Sequence, residues 1–390
     1  MSTSPPRRKT GVLYLVLAAV ALGGCLTVYG AAVLLRAKPL YDYVKDRQRG
    51  WSGTTHSSDP MLGFAPVPGA GGHHVFPIGD DLPMQYDASG FRVPVDPELR
   101  QADRDPVMLA LGCSFTYGDA TPAEETFPHL AGELIGGSAR NAGVPSYGLA
   151  QMMILARRLI PEHRPDYLLV QYSPWLVDRA QAPFAPSYYG AIPTPFFTPE
   201  LKLHPPVFPT MVFQVSSDRY RKTERGLLDF VSFAWHVALP LFLHDDVRTT
   251  TFRVRRMAGR IPPSAGDDAA LIRHVYGEIA RVARKSGARM IVVGLGNRAE
   301  PLNMPRELFP SEALLVNAHD SLVAALPVKS QECFDRRYGH WRGSPPILVD
   351  QHPNALAHRE VARIIASNLM GLALRTRSNP RSAAELSCDS

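Results

Sequence analysis

Cysteine is scarce in this chain: four in 390 residues, at positions 25, 113, 333 and 388. That excludes a disulfide-stapled scaffold, and the lack of any CxxC pair or Cys/His spacing excludes a structural zinc module. Cys25 falls in an apolar run and Cys388 in a polar tail, so a single Cys113–Cys333 bridge is the pairing left open. Charged residues are also few, at 20%, and one-sided only at the start. Residues 1–38 hold Arg7, Arg8, Lys9, Arg36 and Lys38 and no acid, and the remainder is close to balanced. The net charge of +6 therefore describes the flanks of a hydrophobic segment rather than a nucleic-acid surface, and no nucleic-acid partner is expected. There is no Walker-type lysine, and Gly294-Leu-Gly296 falls short of a phosphate-binding fingerprint. Neither an organic cofactor nor a metal is expected. A 45% hydrophobic composition without internal repeats excludes collagen-like, coiled-coil and wholly disordered chains.

One long hydrophobic run is present. Gly11 to Leu35 carries no charge and exceeds the roughly 20 residues that cross a bilayer core. The apolar region of a cleaved signal peptide is shorter, about 7–15 residues. Leu22-Gly23-Gly24-Cys25 looks like a lipoprotein cleavage box, but ten apolar positions follow it, so Cys25 reads as an ordinary membrane residue. The expectation is an uncleaved single-pass anchor. Basic residues flank it on both sides, so the positive-inside rule does not orient it. A short N-terminus before a long folded domain favours an extracytoplasmic (periplasmic) placement of that domain.

The chain then divides into a short tail (1–10), the anchor (11–35), a polar juxtamembrane link ending in a hairpin (36–104), a domain over 105–374 and a disordered tail (375–390). Asp87 to Gly90 is the turn of the hairpin. His73-His74, among glycines, reads as solvated loop. From Pro106 short apolar runs alternate with helical periodicity. Strands are expected at 107–111, 139–144, 166–172 and 288–294, and helices at 125–135, 149–159, 268–286, 310–326 and 355–374. That alternation defines an α/β fold with a doubly wound parallel sheet of about five strands. Residues 179–267 interrupt it with an irregular insertion, since eight prolines between Pro183 and Pro209 leave little room for regular structure. Gly226 to Leu243 within it is nearly uncharged and reads as an interfacial helix or a buried lid, a second membrane span being marginal at 18 residues with Pro240 near its end.

Ligands of doubly wound sheets bind at the carboxyl ends of the strands. Three stretches lie there. Gly112-Cys113-Ser114 follows the first strand, where a tight turn exposes a serine near a helix N-terminus; alone, Ser114 reads equally as a helix cap. Asn141-Ala-Gly143 follows the second, where a glycine lets a backbone N–H approach a substrate. Asp350-Gln-His352-Pro-Asn354 precedes the last helix and places an imidazole beside a carboxylate. Ser114, His352 and Asp350 together would give an activated nucleophile and its base. His358, further into that helix, reads as a surface or packing residue.

In that order these blocks resemble the SGNH (GDSL-type) hydrolases, over about residues 105–178 and 268–372. The resemblance implies a flavodoxin-like fold, Ser114 as nucleophile, His352 as base, Asp350 as its orienting acid, and backbone N–H groups of Ser114 and Gly143, in the Asn141 block, as oxyanion donors. It implies an acyl-ester substrate; a membrane-tethered member would act on an envelope polysaccharide or lipid. There are three departures from the family pattern. Cys113 replaces the first-block Asp, Trp175 stands where a third-block Asn should donate to the oxyanion, and the Asp350–His352 spacing is one residue short. Ser173, the Trp175 indole or the insertion could supply the missing donor. Hydrolysis is the leading expectation. O-acyl transfer on the same fold and a catalytically weak envelope scaffold or carbohydrate-binding protein are the alternatives.

Overall fold

The computed structural model describes residues 7–46, 50–187, 190–208, 225–371 and Cys388. The expected tail over 375–390 lies outside them, Cys388 excepted. The chain forms two compact units rather than a linear series: residues 1–48 with 215–253, and residues 49–214 with 254–390.

In the first unit, one helix runs from Arg7 to Lys45, so the expected polar link from residue 36 begins as helix. Gly11 to Val28 is exposed at every position. At about 1.5 Å per residue this stretch is roughly 27 Å long, close to the thickness of a bilayer core. Beyond it the helix gains a partner. Ala37, Tyr41 and Val44 bury themselves against Phe233, Ala234 and Ala238 of a second helical stretch, Leu227–Met257, whose Ala234–Ala238 turn is a π-bulge. The Tyr41 hydroxyl donates to Asp229 at 2.7 Å, and Arg36 pairs with Asp246 at 2.7 Å. Both helices are long and apolar enough to cross a membrane. Leu227, Leu228, Val231 and Trp235 are exposed, so the stretch is not a buried lid.

The second unit is built on a nine-stranded sheet. Across it run Gly50–Ser52, Gly71–Val75, Leu82–Tyr86, Arg92–Val93, Ser138–Asn141, Val107–Leu111, Tyr167–Tyr172, Arg289–Gly294 and Leu314–Asn317. The last five are parallel. In chain order they stand 2-1-3-4-5, the flavodoxin-like order, with its switch point between the first and third. The middle three are buried except for their first residues, as expected for strands covered on both faces, while the outer two, Ser138–Asn141 and Leu314–Asn317, are partly exposed. One pair of helices, Leu149–His163 and Asp268–Lys285, packs together; so does a second pair, Phe127–Leu134 and Ala355–Met370.

Three expectations need correction. Residues 310–326 are not one helix. Leu314-Leu-Val-Asn317 pairs with Ile291–Gly294 as the fifth parallel strand, and Asn317 then caps a short helix by accepting from the Asp320 N–H at 3.1 Å. The glycine-rich region before residue 96 is not loop and hairpin alone: its strands extend the sheet by four antiparallel members, joined through Arg92 opposite Asn141. The insertion is not irregular throughout, since Phe184–Ser187 pairs with Gly190–Pro193 and Phe196–Phe197 with Leu203–His204.

Cysteine pairing also differs. Cys333 bonds Cys388, and Cys113 is a buried free thiol.

Candidate active site

The first parallel strand ends at Leu111, the second at Asn141 and the third at Tyr172. Ser114, Gly143 and Trp175 each follow one of them within three residues. The turn after Leu111 is tight: a Cβ on Gly112 would lie 2.0 Å from Thr116 Oγ1 and 2.5 Å from Gln171 Oε1. Ser114 opens the short helix Ser114–Tyr117 with no side-chain cap at its start. The N–H groups of a helix's first turn have no intrahelical acceptor and are oriented toward any anion in front of them. Among the described residues the hydrogen bond of the Ser114 hydroxyl is to Cys113 Sγ, at 3.8 Å.

Cys113 occupies a pocket of donors. Gln171 Nε2 donates to its sulfur at 3.2 Å and the Trp175 indole at 3.5 Å. Burial pushes the thiol up, but the charge of Arg179 and these donors outweigh it and leave it below the usual thiol value. Gln171, whose role the sequence did not reveal, joins the strand ends. Its Oε1 accepts from the Cys113 N–H at 3.0 Å and from the Thr116 hydroxyl at 2.8 Å, and its Nε2 also donates to Ser173 at 2.9 Å. Ser173 in turn donates to the Leu295 carbonyl at 2.6 Å. Both candidate replacements for the missing oxyanion donor, Ser173 and the Trp175 indole, therefore already have acceptors.

Asn141 and Gly143 come together beneath the Ser114 helix. Asn141 Nδ2 donates to the Thr116 carbonyl at 2.9 Å and the Tyr117 carbonyl at 3.3 Å. Its Oδ1 accepts the Gly143 N–H at 3.0 Å. A Cβ on Gly143 would lie 2.4 Å from the Tyr117 nitrogen, so only glycine fits.

His352 follows the strand Ile347–Asp350, which lies outside the main sheet and pairs with His340–Arg342. The shorter spacing still joins the pair. Asp350 Oδ1 meets His352 Nδ1 at 2.6 Å and also accepts the His352 backbone N–H at 2.8 Å. Burial raises the Asp350 carboxyl, but the charge and hydrogen bond of His352, with His74 behind them, hold it well below the usual carboxylate range. The His352 ring meets that of Phe115, the residue after Ser114, with centroids 5.4 Å apart.

Three neighbours escaped the sequence reading. Asp119, 1% exposed, places Oδ2 at 3.7 Å from His352 Nε2. Burial raises its carboxyl, partly offset by His352 and His74. His74 is not in a solvated loop. It lies in the strand Gly71–Val75, is 2% exposed and places Nε2 at 3.4 Å from Asp350 Oδ2. Arg92 donates to the carbonyls of Tyr117, Gly118 and Thr121 at 3.1, 2.7 and 2.6 Å, fixing the loop that carries Asp119. His73 is exposed and His74 buried, the alternation of a strand. His358 is a buried packing residue, not a surface one; its Nδ1 accepts the Phe127 N–H at 3.1 Å.

No family model matches the sequence, and no curated protein matches it. Solved structures similar to the chain are esterases and lipolytic proteins. A protein assigned to the lipolytic G-D-S-L family, from Desulfitobacterium hafniense, is 8% identical, with 68% of this chain and 99% of that one covered and a TM-score of 0.29. An acetylxylan esterase from Geobacillus stearothermophilus, in a catalytic-mutant form, is 9% identical over 71% and 99%, with a TM-score of 0.34. A family 2 carbohydrate esterase with a carbohydrate-binding domain, from Corynascus thermopiles, is 11% identical over 83% and 89%, with a TM-score of 0.34. At such identities and TM-scores these likenesses decide nothing about chemistry, which has to be argued from the residues.

Proposed function

We propose that this protein is a serine ester hydrolase of SGNH type, held at a membrane by its N-terminal helix. One observation carries the reading. The switch point of a 2-1-3-4-5 sheet presents Ser114 at a helix start, and an Asp350-fixed imidazole at 2.6 Å borders the next residue. In this reading the Ser114 hydroxyl turns from Cys113 to His352 as an ester enters and attacks its carbonyl carbon. His352 Nε2 takes the hydroxyl proton, and Asp350 stabilises the imidazolium. The N–H of Ser114 faces the developing oxyanion. The Gly143 N–H serves as second donor by exchanging Asn141 Oδ1 for it. The tetrahedral intermediate expels the alcohol, which takes the proton from His352. Water, activated by the same imidazole, then releases the acid from Ser114 and restores the hydroxyl.

The cavity lined by Phe115, Leu295, Gly296, Gln351, Pro353 and His358 holds about 10 Å³, roughly one water. Neither Ser114 nor His352 lines it, so it sets no acyl length; the reading of an acyl ester on an envelope glycan or lipid rests on the membrane-length helix. The Cys333–Cys388 bond supports an extracytoplasmic domain, since disulfides persist in oxidising compartments.

The same geometry favours one alternative, a catalytically weak scaffold or glycan-binding protein. Ser114 donates to Cys113, and Gly143, Ser173 and Trp175 have their N–H or O–H groups engaged. Full-length protein in detergent, assayed with p-nitrophenyl acetate and longer esters beside Ser114→Ala, separates the two. Hydrolysis abolished in the variant supports the esterase. Folded wild type that only matches the variant sinks it and leaves binding or acyl transfer to a specific acceptor.

A further inference from the structure

His352, Asp350, His74 and Asp119 form a closed ring of alternating imidazoles and carboxylates. His352 Nδ1 meets Asp350 Oδ1 at 2.6 Å, and Asp350 Oδ2 meets His74 Nε2 at 3.4 Å. His74 Nδ1 lies 3.9 Å from Asp119 Oδ1, and Asp119 Oδ2 lies 3.7 Å from His352 Nε2. Three members are 1–2% exposed, and only His352 reaches the surface of the site. We propose that His74 is a positioning residue, which sets the orientation and proton affinity of His352 through the two carboxylates it bridges. The proposal rests on the esterase reading for the task of His352, but not for the ring itself.

Two buried carboxylates beside one imidazole would hold that imidazole in its protonated form, in which it cannot accept a proton from serine. A second imidazole between them shares their charge. His74 also fixes Asp350 Oδ2, so that Oδ1 keeps its aim at His352. Its own position is set by the antiparallel strands on either side, where His74 pairs with Trp51 and with Leu82, and by the Phe76 ring at 4.8 Å. Other titratable groups face the ring from neighbouring elements. His340, on the strand opposite Asp350, is buried and pushed down to about 4. His358, on the last helix, is pushed down to about 3, so both stay neutral above pH 5. Arg92 also acts on Asp119, favouring its carboxylate form.

The test uses the full-length protein in detergent, as wild type, His74→Leu, His74→Gln and Ser114→Ala. Histidine-labelled samples give the pH at which the His352 ring titrates, with no substrate present. Ester hydrolysis gives kcat and KM against pH. His74→Leu should move the His352 titration and the acid limb of kcat/KM upward by about one pH unit, so that kcat/KM falls up to about tenfold along that limb with KM within twofold. His74→Gln retains an N–H for Asp350 and should restore part of both. A purely structural role would lower melting temperature without moving the titration. If His352 titrates at the wild-type pH in both folded variants, the proposal is overturned. If the titration moves while wild type and Ser114→Ala hydrolyse nothing, the ring stands and the esterase reading falls. Should His74→Leu not fold, the shift in His74→Gln decides alone.

Discussion

The side-chain oxygen of Asn141 accepts the backbone N–H of Gly143 at 3.0 Å, while the same amide's nitrogen donates to the last carbonyls of the Ser114 helix. One side chain thus joins the nucleophile's helix to the candidate oxyanion donor. Truncation to Asn141→Ala should cost about 1–3 kcal/mol in urea unfolding, because buried carbonyls lose a donor. Turnover should fall at least tenfold even though the Gly143 N–H is released, since the helix above it loosens. A gain in kcat would show instead that the hydrogen bond is inhibitory.

Gly143→Ala tests the close approach beneath Tyr117. The added methyl has backbone within 2.4 Å and no flexible neighbour to move. The expected loss is about 1–3 kcal/mol in thermal or urea unfolding. A variant as stable as wild type would mean that this turn is looser than its geometry implies.

Arg92 satisfies three buried carbonyls and stacks over the Tyr117 ring at 4.1 Å. Arg92→Met keeps much of the apolar stem but orphans the carbonyls. Stability should drop by about 3 kcal/mol, and kcat should fall with little change in KM, because Asp119 sits on the loop that Arg92 holds. Equal losses in Arg92→Lys and Arg92→Met would indicate that the forked geometry, not the charge, matters.

Acid sensitivity has several sources, among them the buried His56 and His340, each pushed down to about 4. His358 is pushed down to about 3 by burial, against an ordinary histidine value of 6.5. Its folded-state value is lower than its unfolded one, so the stability it confers is complete above pH 6.5 and falls progressively toward pH 3. Asp350 is likewise depressed, and its contribution is lost at lower pH, as the fall passes through the carboxylate range. His358→Gln should lessen the slope of the stability profile below about pH 6.5, the rest of it remaining with His56 and His340. An unchanged slope would remove His358 from the account.

Cys113 has three donors on its sulfur yet no exposure. A thiol reagent should modify the exposed Cys25 in native protein when detergent admits it, and Cys113 only after unfolding. Modification of Cys113 at the native-state rate of Cys25 would contradict the burial.

Much of the site was legible because its parts are local. Gly112-Cys113-Ser114 and Asp350-Gln-His352 each follow a short apolar strand, and strand ends can be read from hydrophobic runs. The five parallel strands were likewise visible as such runs, except Leu314–Asn317, whose four residues between a proline-rich turn and a short helix blend into helical periodicity. His74, Asp119, Arg92 and Gln171 were not legible. Their roles depend on pairings far apart in sequence, such as Arg92 opposite Asn141 and His74 against Asp350. A glycine-rich strand, second from the sheet edge, has no run to announce it. Trp175 illustrates the limit from the other side: the substitution was visible, but its acceptor, Cys113, required the fold.

The Cys333–Cys388 bond gives the end of the chain a second attachment, 55 residues from the first in sequence. Cleavage by trypsin after Arg381 would separate residues 382–390 from the main chain by one peptide bond, yet the nonapeptide would stay attached through its sulfur. Intact mass would then rise by a single water in oxidised samples, and the peptide would leave only on reduction. Reduction would also free the thiol of Cys333, a buried residue of the helix Gln331–Tyr338, so the timing of reduction and proteolysis becomes readable as two separate events.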